Sequence, residues 1–68
     1  MTTAEILLAR MKESERKAID NLARYKFSNF GYWAAAWVRD NQLLKQISGT
    51  SRPSPFRPLV VRAMEMNE

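Results

Sequence analysis

Asp, Glu, Lys, Tyr and Ser are the side chains in this 68-residue chain that could carry acid, base or nucleophilic chemistry, because Cys and His are absent. That absence removes a thiol nucleophile, an imidazole base and a hydrolase triad. It also removes every disulfide and the best zinc ligands. No two carboxylates are spaced as a dedicated acid/base pair: Glu13 and Glu15 fall in the charged run Lys12–Lys17 and read as solvated surface. The chain is therefore expected to act by binding, not as an enzyme, with no cofactor, no metal and no catalytic residue.

Binding chemistry is better represented. Residues 1–23 carry four basic and four acidic side chains and cancel. Residues 24–62 carry Arg24, Lys26, Arg39, Lys45, Arg52, Arg57 and Arg62 against Asp40 alone, a net of +6. All the aromatics, Tyr25, Phe27, Phe30, Tyr32, Trp33, Trp37 and Phe56, lie in that same stretch. Cations that neutralise phosphates and rings that stack on bases are what nucleic acid binding uses. Helical spacing assigns Trp33 and Trp37 to a core instead, leaving Tyr25, Phe27 and Tyr32 as the rings expected at the surface. The seven cations and Tyr32 are thus the candidate contacts for a partner or an anion.

Asp40 and Asn41 form a second candidate, since helical spacing sets both beside Trp33, Trp37 and Leu44. A buried polar group there costs about 1–3 kcal/mol unless satisfied. Either the pair meets a partner across an interface, as a buried Asn does in coiled coils, or the helix turns it to water. Glu15 is the acid that could face Arg39 or Lys45. The loop Ser48–Pro55 with Arg52 and Arg57 could hold an anion, although such a loop ordinarily just turns the chain. Met64 and Met66 could belong to an adaptable contact surface; core or a fraying end is the plainer expectation.

The elements that must position these groups are helices. Thr2 followed by Glu5 has capping-box spacing, with Thr3 as the alternative cap. A first helix is expected over 3–26, with Ala4, Leu7, Leu8, Met11, Ala18, Ile19, Leu22 and Tyr25 on one face. Glu13/Lys17, Arg16/Asp20 and Asp20/Arg24 support its solvated back. A break at Ser14 is the alternative. Phe27-Ser28-Asn29 reads as the connection, with Ser28 or Asn29 capping a second helix over 29–47. The run Ala34-Ala35-Ala36 favours helix and permits a close neighbour. Gly49 reads as a left-handed cap. Ser54-Pro55 starts a third helix over 55–66, with Phe56, Leu59, Val60, Ala63 and Met64 as its apolar stripe. The predicted fold is all-α: one domain over 1–68, a long helical hairpin with the third helix folded back across it and the two Trp as the bulk of the core.

A chain this short buries only about 60% of its unfolded surface, and small folds commonly add disulfides, metal or a partner subunit. With the first two removed, oligomerisation, a bound partner or unusually good helix packing must make up the difference, and a homodimer or a bound protein is expected. The second helix is too poor in outward cations to read a DNA groove as a helix-turn-helix does. Nucleic acid bound through 24–62 remains the alternative. No apolar run of about 20 residues spans a membrane, and the basic and apolar faces are too mixed for docking on an anionic bilayer. Met1-Thr2-Thr3-Ala4-Glu5 lacks the order of a secretory signal, so a cytoplasmic protein is expected. In size, composition and helical design the chain resembles small accessory or regulatory proteins of phages and mobile elements, a likeness of style with no motif behind it.

Overall fold

The computed structural model describes residues 2–67 and contains, among them, three helices and no strand: α1 (Thr3–Ala23), α2 (Phe27–Ser48) and α3 (Arg57–Met66). The all-α class and the hairpin with a short third helix agree with the sequence; the start of α1 and the end of α3 fall as expected, and the other boundaries shift by one to three residues.

The first helix begins as the capping-box spacing predicts. Glu5 N–H donates to Thr2 Oγ1 at 3.1 Å, and Thr2 Oγ1 donates to Glu5 Oε1 at 3.2 Å. It runs through Ser14 without a break. Its buried stripe is Leu7, Met11, Ser14 and Ala18, spaced four, three and four residues, and it packs on Trp37, Asp40 and Leu44 of α2. Small Ser14 and Ala18 let the two backbones approach. Ala4, Leu8, Phe30, Trp33 and Ala34 pack around this cluster, partly buried. Ile19, expected on the apolar face, is exposed. The charged back follows the expected spacing in part. Lys17 lies 3.9 Å from Glu13 and Arg24 3.4 Å from Asp20, but Arg16 turns to Glu13 at 2.6 Å rather than to Asp20.

The connection is not Phe27-Ser28-Asn29 but Arg24-Tyr25-Lys26. Lys26 N–H donates to Asn21 O at 2.8 Å and Tyr25 N–H to Leu22 O at 3.1 Å. This paired closure is a Schellman motif. It requires a left-handed residue, and Tyr25 takes that place at φ 60°. Because the turn closes so tightly, α2 starts at Phe27 with Lys26 as its N-cap and no side-chain cap, and Ser28 and Asn29 lie inside its first turn.

At the other end Gly49 takes the left-handed cap at φ 81°, its N–H on Lys45 O at 2.8 Å. The loop that follows is pinned back on α2 by one side chain. Asn41 Nδ2 donates to Arg52 O at 3.0 Å and Asn41 Oδ1 accepts from Arg52 N–H at 2.8 Å. The loop thereby delivers Phe56 into the core, edge-on to Phe30 with centroids 5.6 Å apart and to Trp37 at 6.0 Å. Ser54 Oγ accepts from Phe56 N–H at 3.1 Å, so Ser54-Pro55 shapes the turn before α3 instead of forming its first residues. Pro58 falls in the first turn, as expected.

The third helix corrects the predicted assembly. No residue of α3 is buried, and it is not folded back across the hairpin. With packed helices about 8–10 Å apart, a compact three-helix bundle has two similar transverse dimensions. This molecule measures 40 × 27 × 13 Å. Phe56, 6% exposed, is the last residue to enter the core, and α3 stands away from α2 beyond it. Trp37 is a core residue; Trp33 is only half buried, with Lys17 Nζ 4.3 Å from its ring centroid. Among the described residues no helix is long and apolar enough to cross a membrane.

Candidate functional site

The splaying of α3 opens a groove of about 360 Å³ against α2. Its near wall is a second apolar line on α2. Phe30, Ala34 and Val38, spaced i, i+4, i+8, lie beside the line that faces α1, and Ala35 lies next to them. The alanines keep the floor low. Phe56 lines it as well, held by its edge-on contacts with Phe30 and Trp37. The far wall is Leu59, Val60 and Ala63, the apolar stripe of α3. Ser54 is the one polar residue in the lining, and its hydroxyl is already engaged with the Phe56 amide. No charged residue lines the groove. Val38, Leu59 and Val60 present between two-fifths and just over half of their surface to solvent.

The opposite face of α3 has a different character. Arg57, Pro58, Val61, Arg62 and Glu65 form, with Ser54, a shallow hollow of about 680 Å³. Of the seven candidate cations, Arg57 and Arg62 are therefore brought together, with Glu65 beside them. Arg39 and Tyr32 also meet, in a smaller cleft of about 180 Å³ that they share with Arg10, Glu13, Trp33 and Asp40. Arg24 and Lys26 stand at the hairpin tip with Tyr25 and Phe27, whose rings are edge-on at 6.1 Å and both exposed. Arg52 lines a separate hollow with Lys12, Glu15, Pro53 and Pro55. Lys45 is exposed on the last turns of α2. The cations that are contiguous in sequence composition are thus distributed over several separate surfaces.

Asp40 is buried and paired within the chain, whereas Asn41 lies at a partly exposed edge of the apolar face, which is one of the two expected placements. Asp40 is neither at a water edge nor open to a partner: its side chain is 2% exposed, and Oδ1 accepts from Arg10 Nη2 at 3.1 Å, with Arg39 Nε at 3.8 Å. Asn41 is the clamp on Arg52 described above. Both groups are satisfied within the chain, and no buried side-chain nitrogen or oxygen among the described residues lacks a hydrogen-bond partner. Glu15 lines a hollow with Lys12 and Arg52 and pairs with neither Arg39 nor Lys45. On the exposed back of α1, the hydrogen bond from Arg16 holds the Glu13 carboxyl below its ordinary range, far from the groove.

The groove was not singled out by sequence reasoning, which placed Phe56, Leu59, Val60 and Ala63 in a common core. The signal that could have found it is the doubling of the apolar pattern on α2. One line serves α1, while the adjacent Phe30-Ala34-Val38 line is left for a second neighbour. Compared with protein-family models, with curated proteins and with solved structures, the chain matches none.

Proposed function

We propose that this chain is a non-enzymatic helical binding module that seats an apolar helix face of a protein partner in the groove between α2 and α3. The observation that carries the reading is an open, uncharged groove between two helices, one of which has no buried residue of its own. Helix-in-groove recognition uses such a surface: apolar anchors one helical turn apart enter a trough with helical walls. The mixed surface outside it, including Arg57 and Arg62, supplies a polar rim, where charge affects approach rate and orientation more than affinity. A chain without Cys or His supports a binding role over thiol or imidazole catalysis, and a cytoplasmic location belongs to the same reading.

Affinity capture with the wild-type chain, with Val38→Lys and with Arg57→Ala tests it. The reading expects a partner retained by Arg57→Ala and lost with Val38→Lys, whose charge would sit in the trough. A partner retained by Val38→Lys and lost with Arg57→Ala would move the docking surface to the basic face of α3.

A second reading rests on the hairpin tip. Tyr25 is 80% exposed and held in a left-handed conformation between Arg24 and Lys26, with Phe27 beside it. Rings flanked by cations suit single-stranded nucleic acid, where each stacked base contributes about 1–3 kcal/mol. Anisotropy of a labelled single strand at two salt concentrations tests this: salt-sensitive binding removed by Tyr25→Ala supports it, and no binding at low salt refutes it.

A further inference from the structure

We infer that the occupant of the groove is the third helix of a second copy of this chain, so that two copies pair about a two-fold axis. Each α3 then lies between α2 and α3 of the other copy. The inference rests on the groove reading above and names its partner. A contact of this kind is isologous: the same patch serves as insert and as receptor, as two-fold pairing demands. The two α2 and two α3 helices become a four-helix cluster, with the paired α3 helices at the axis.

Charge selects this occupant. Each copy carries a net charge of +4, so self-association needs a surface on which like charges do not meet. The groove lining offers one, since Phe30, Ala34, Val38, Phe56, Leu59 and Val60 carry none. The Arg57 and Arg62 side of α3 is the opposite side of the helix from Leu59, Val60 and Ala63, so both cations stay in water when that stripe is covered. An acidic segment would find no cation inside the trough. An uncharged apolar stripe on a short helix fits it, and α3 is such a helix.

The needs of α3 point the same way. Ten residues make a helix too short to persist alone, since isolated helices below about 12–15 residues are marginal in water. Within its own chain it is anchored only where Phe56 enters the core; Leu59, Val60 and Met64 keep between two-fifths and two-thirds of their surface in solvent. A second copy supplies burial for both helices at once. With neither disulfide nor Cys/His metal site open to it, the chain belongs to the size class in which a partner subunit commonly completes the fold.

Sedimentation equilibrium of the full chain over the micromolar range tests the inference, alongside Val60→Glu on one wall, Val38→Lys on the other and Arg62→Ser on the far side of α3. All three positions are exposed in the single chain, so the hairpin fold does not depend on them. The expected result is a dimer for the wild type and for Arg62→Ser. Self-association of each groove variant should weaken by at least about a hundred-fold, because an unpaired charge enters a dry contact. Dimers that survive both groove substitutions would overturn the inference by locating the contact elsewhere. A monomeric wild type would overturn it too, and uptake of the neutral apolar dye Nile red then separates the two readings. Uptake that Val60→Glu abolishes leaves the groove standing as a site for another protein's helix, whereas no uptake removes the groove reading with it.

Discussion

Replacing Arg10 by Met would leave the Asp40 carboxylate buried with its principal partner gone. The side chain of Asp40 is 2% exposed and that of Arg10 is 53% exposed, so the desolvation falls almost wholly on the acid. Breaking a fully buried pair from one side costs about 3–5 kcal/mol. Here Arg39 Nε remains 3.8 Å away and the Arg10 side opens to water, which lowers the expectation to about 2–3 kcal/mol. At about 4–8 °C per kcal/mol for a domain of this size, Tm should fall by roughly 10–20 °C. The converse change, Asp40→Leu, removes the buried charge and leaves Arg10 in solvent, so it should cost about 1 kcal/mol or less. The double variant Arg10→Met, Asp40→Leu should lie near the wild type, which requires strong coupling between the sites. Urea unfolding followed by far-UV dichroism and Trp fluorescence provides the measurement, at one fixed protein concentration because self-association shifts apparent stability. Arg10→Met costing under about 0.5 kcal/mol, or single costs that add up in the double variant, would refute the reading that Arg10 is what satisfies the buried Asp40 carboxylate.

Asn41→Ala removes two hydrogen bonds to the Arg52 backbone and should cost about 2 kcal/mol. Faster hydrogen exchange at the Arg52 amide would locate the loss in the loop. Phe56→Ala empties the corner between Phe30 and Trp37 and should cost about 3–5 kcal/mol, with helical dichroism falling because α3 loses its anchor; an unchanged spectrum would show that α3 is held by other contacts. Tyr25→Gly relieves a left-handed backbone that disfavours side chains by about 1–2 kcal/mol, offset by about 0.5–1 kcal/mol of chain entropy. Its net effect should be neutral to mildly stabilising, and a loss above about 1 kcal/mol in thermal unfolding would mean that Tyr25 makes a contact more valuable than the strain.

Local signals were legible where the backbone group and its partner lie within a few residues. Thr2 and Glu5 announce the start of α1, and Gly49 announces the end of α2. Charge spacing gave the solvated back of α1 with one exchange of partners, and Phe27 and Tyr32 are exposed as expected; Tyr25, which helical period also put on the apolar face of α1, is 80% exposed because it sits in the turn. The first connection was misplaced because its left-handed residue is a tyrosine, a type that does not signal that conformation. Asp40 was recognised as an oddity beside the apolar face, yet its cation is Arg10, thirty residues away. No spacing rule reaches that far.

Period and capping act within one element, so they fix the helices and their approximate bounds, and composition fixes the excess of basic and aromatic residues from Arg24 onward. Which apolar stripes meet depends on how the helices pack. The stripe of α3 has the same composition as a core stripe, and a stripe records that burial is needed without naming the surface that provides it. The Asn41 clamp and the Phe56 anchor set where α3 departs from the hairpin, and that departure turns a would-be core into an open groove. The same geometry distributes the cations over separate faces, since distance along the chain does not fix distance in space once helices reverse direction.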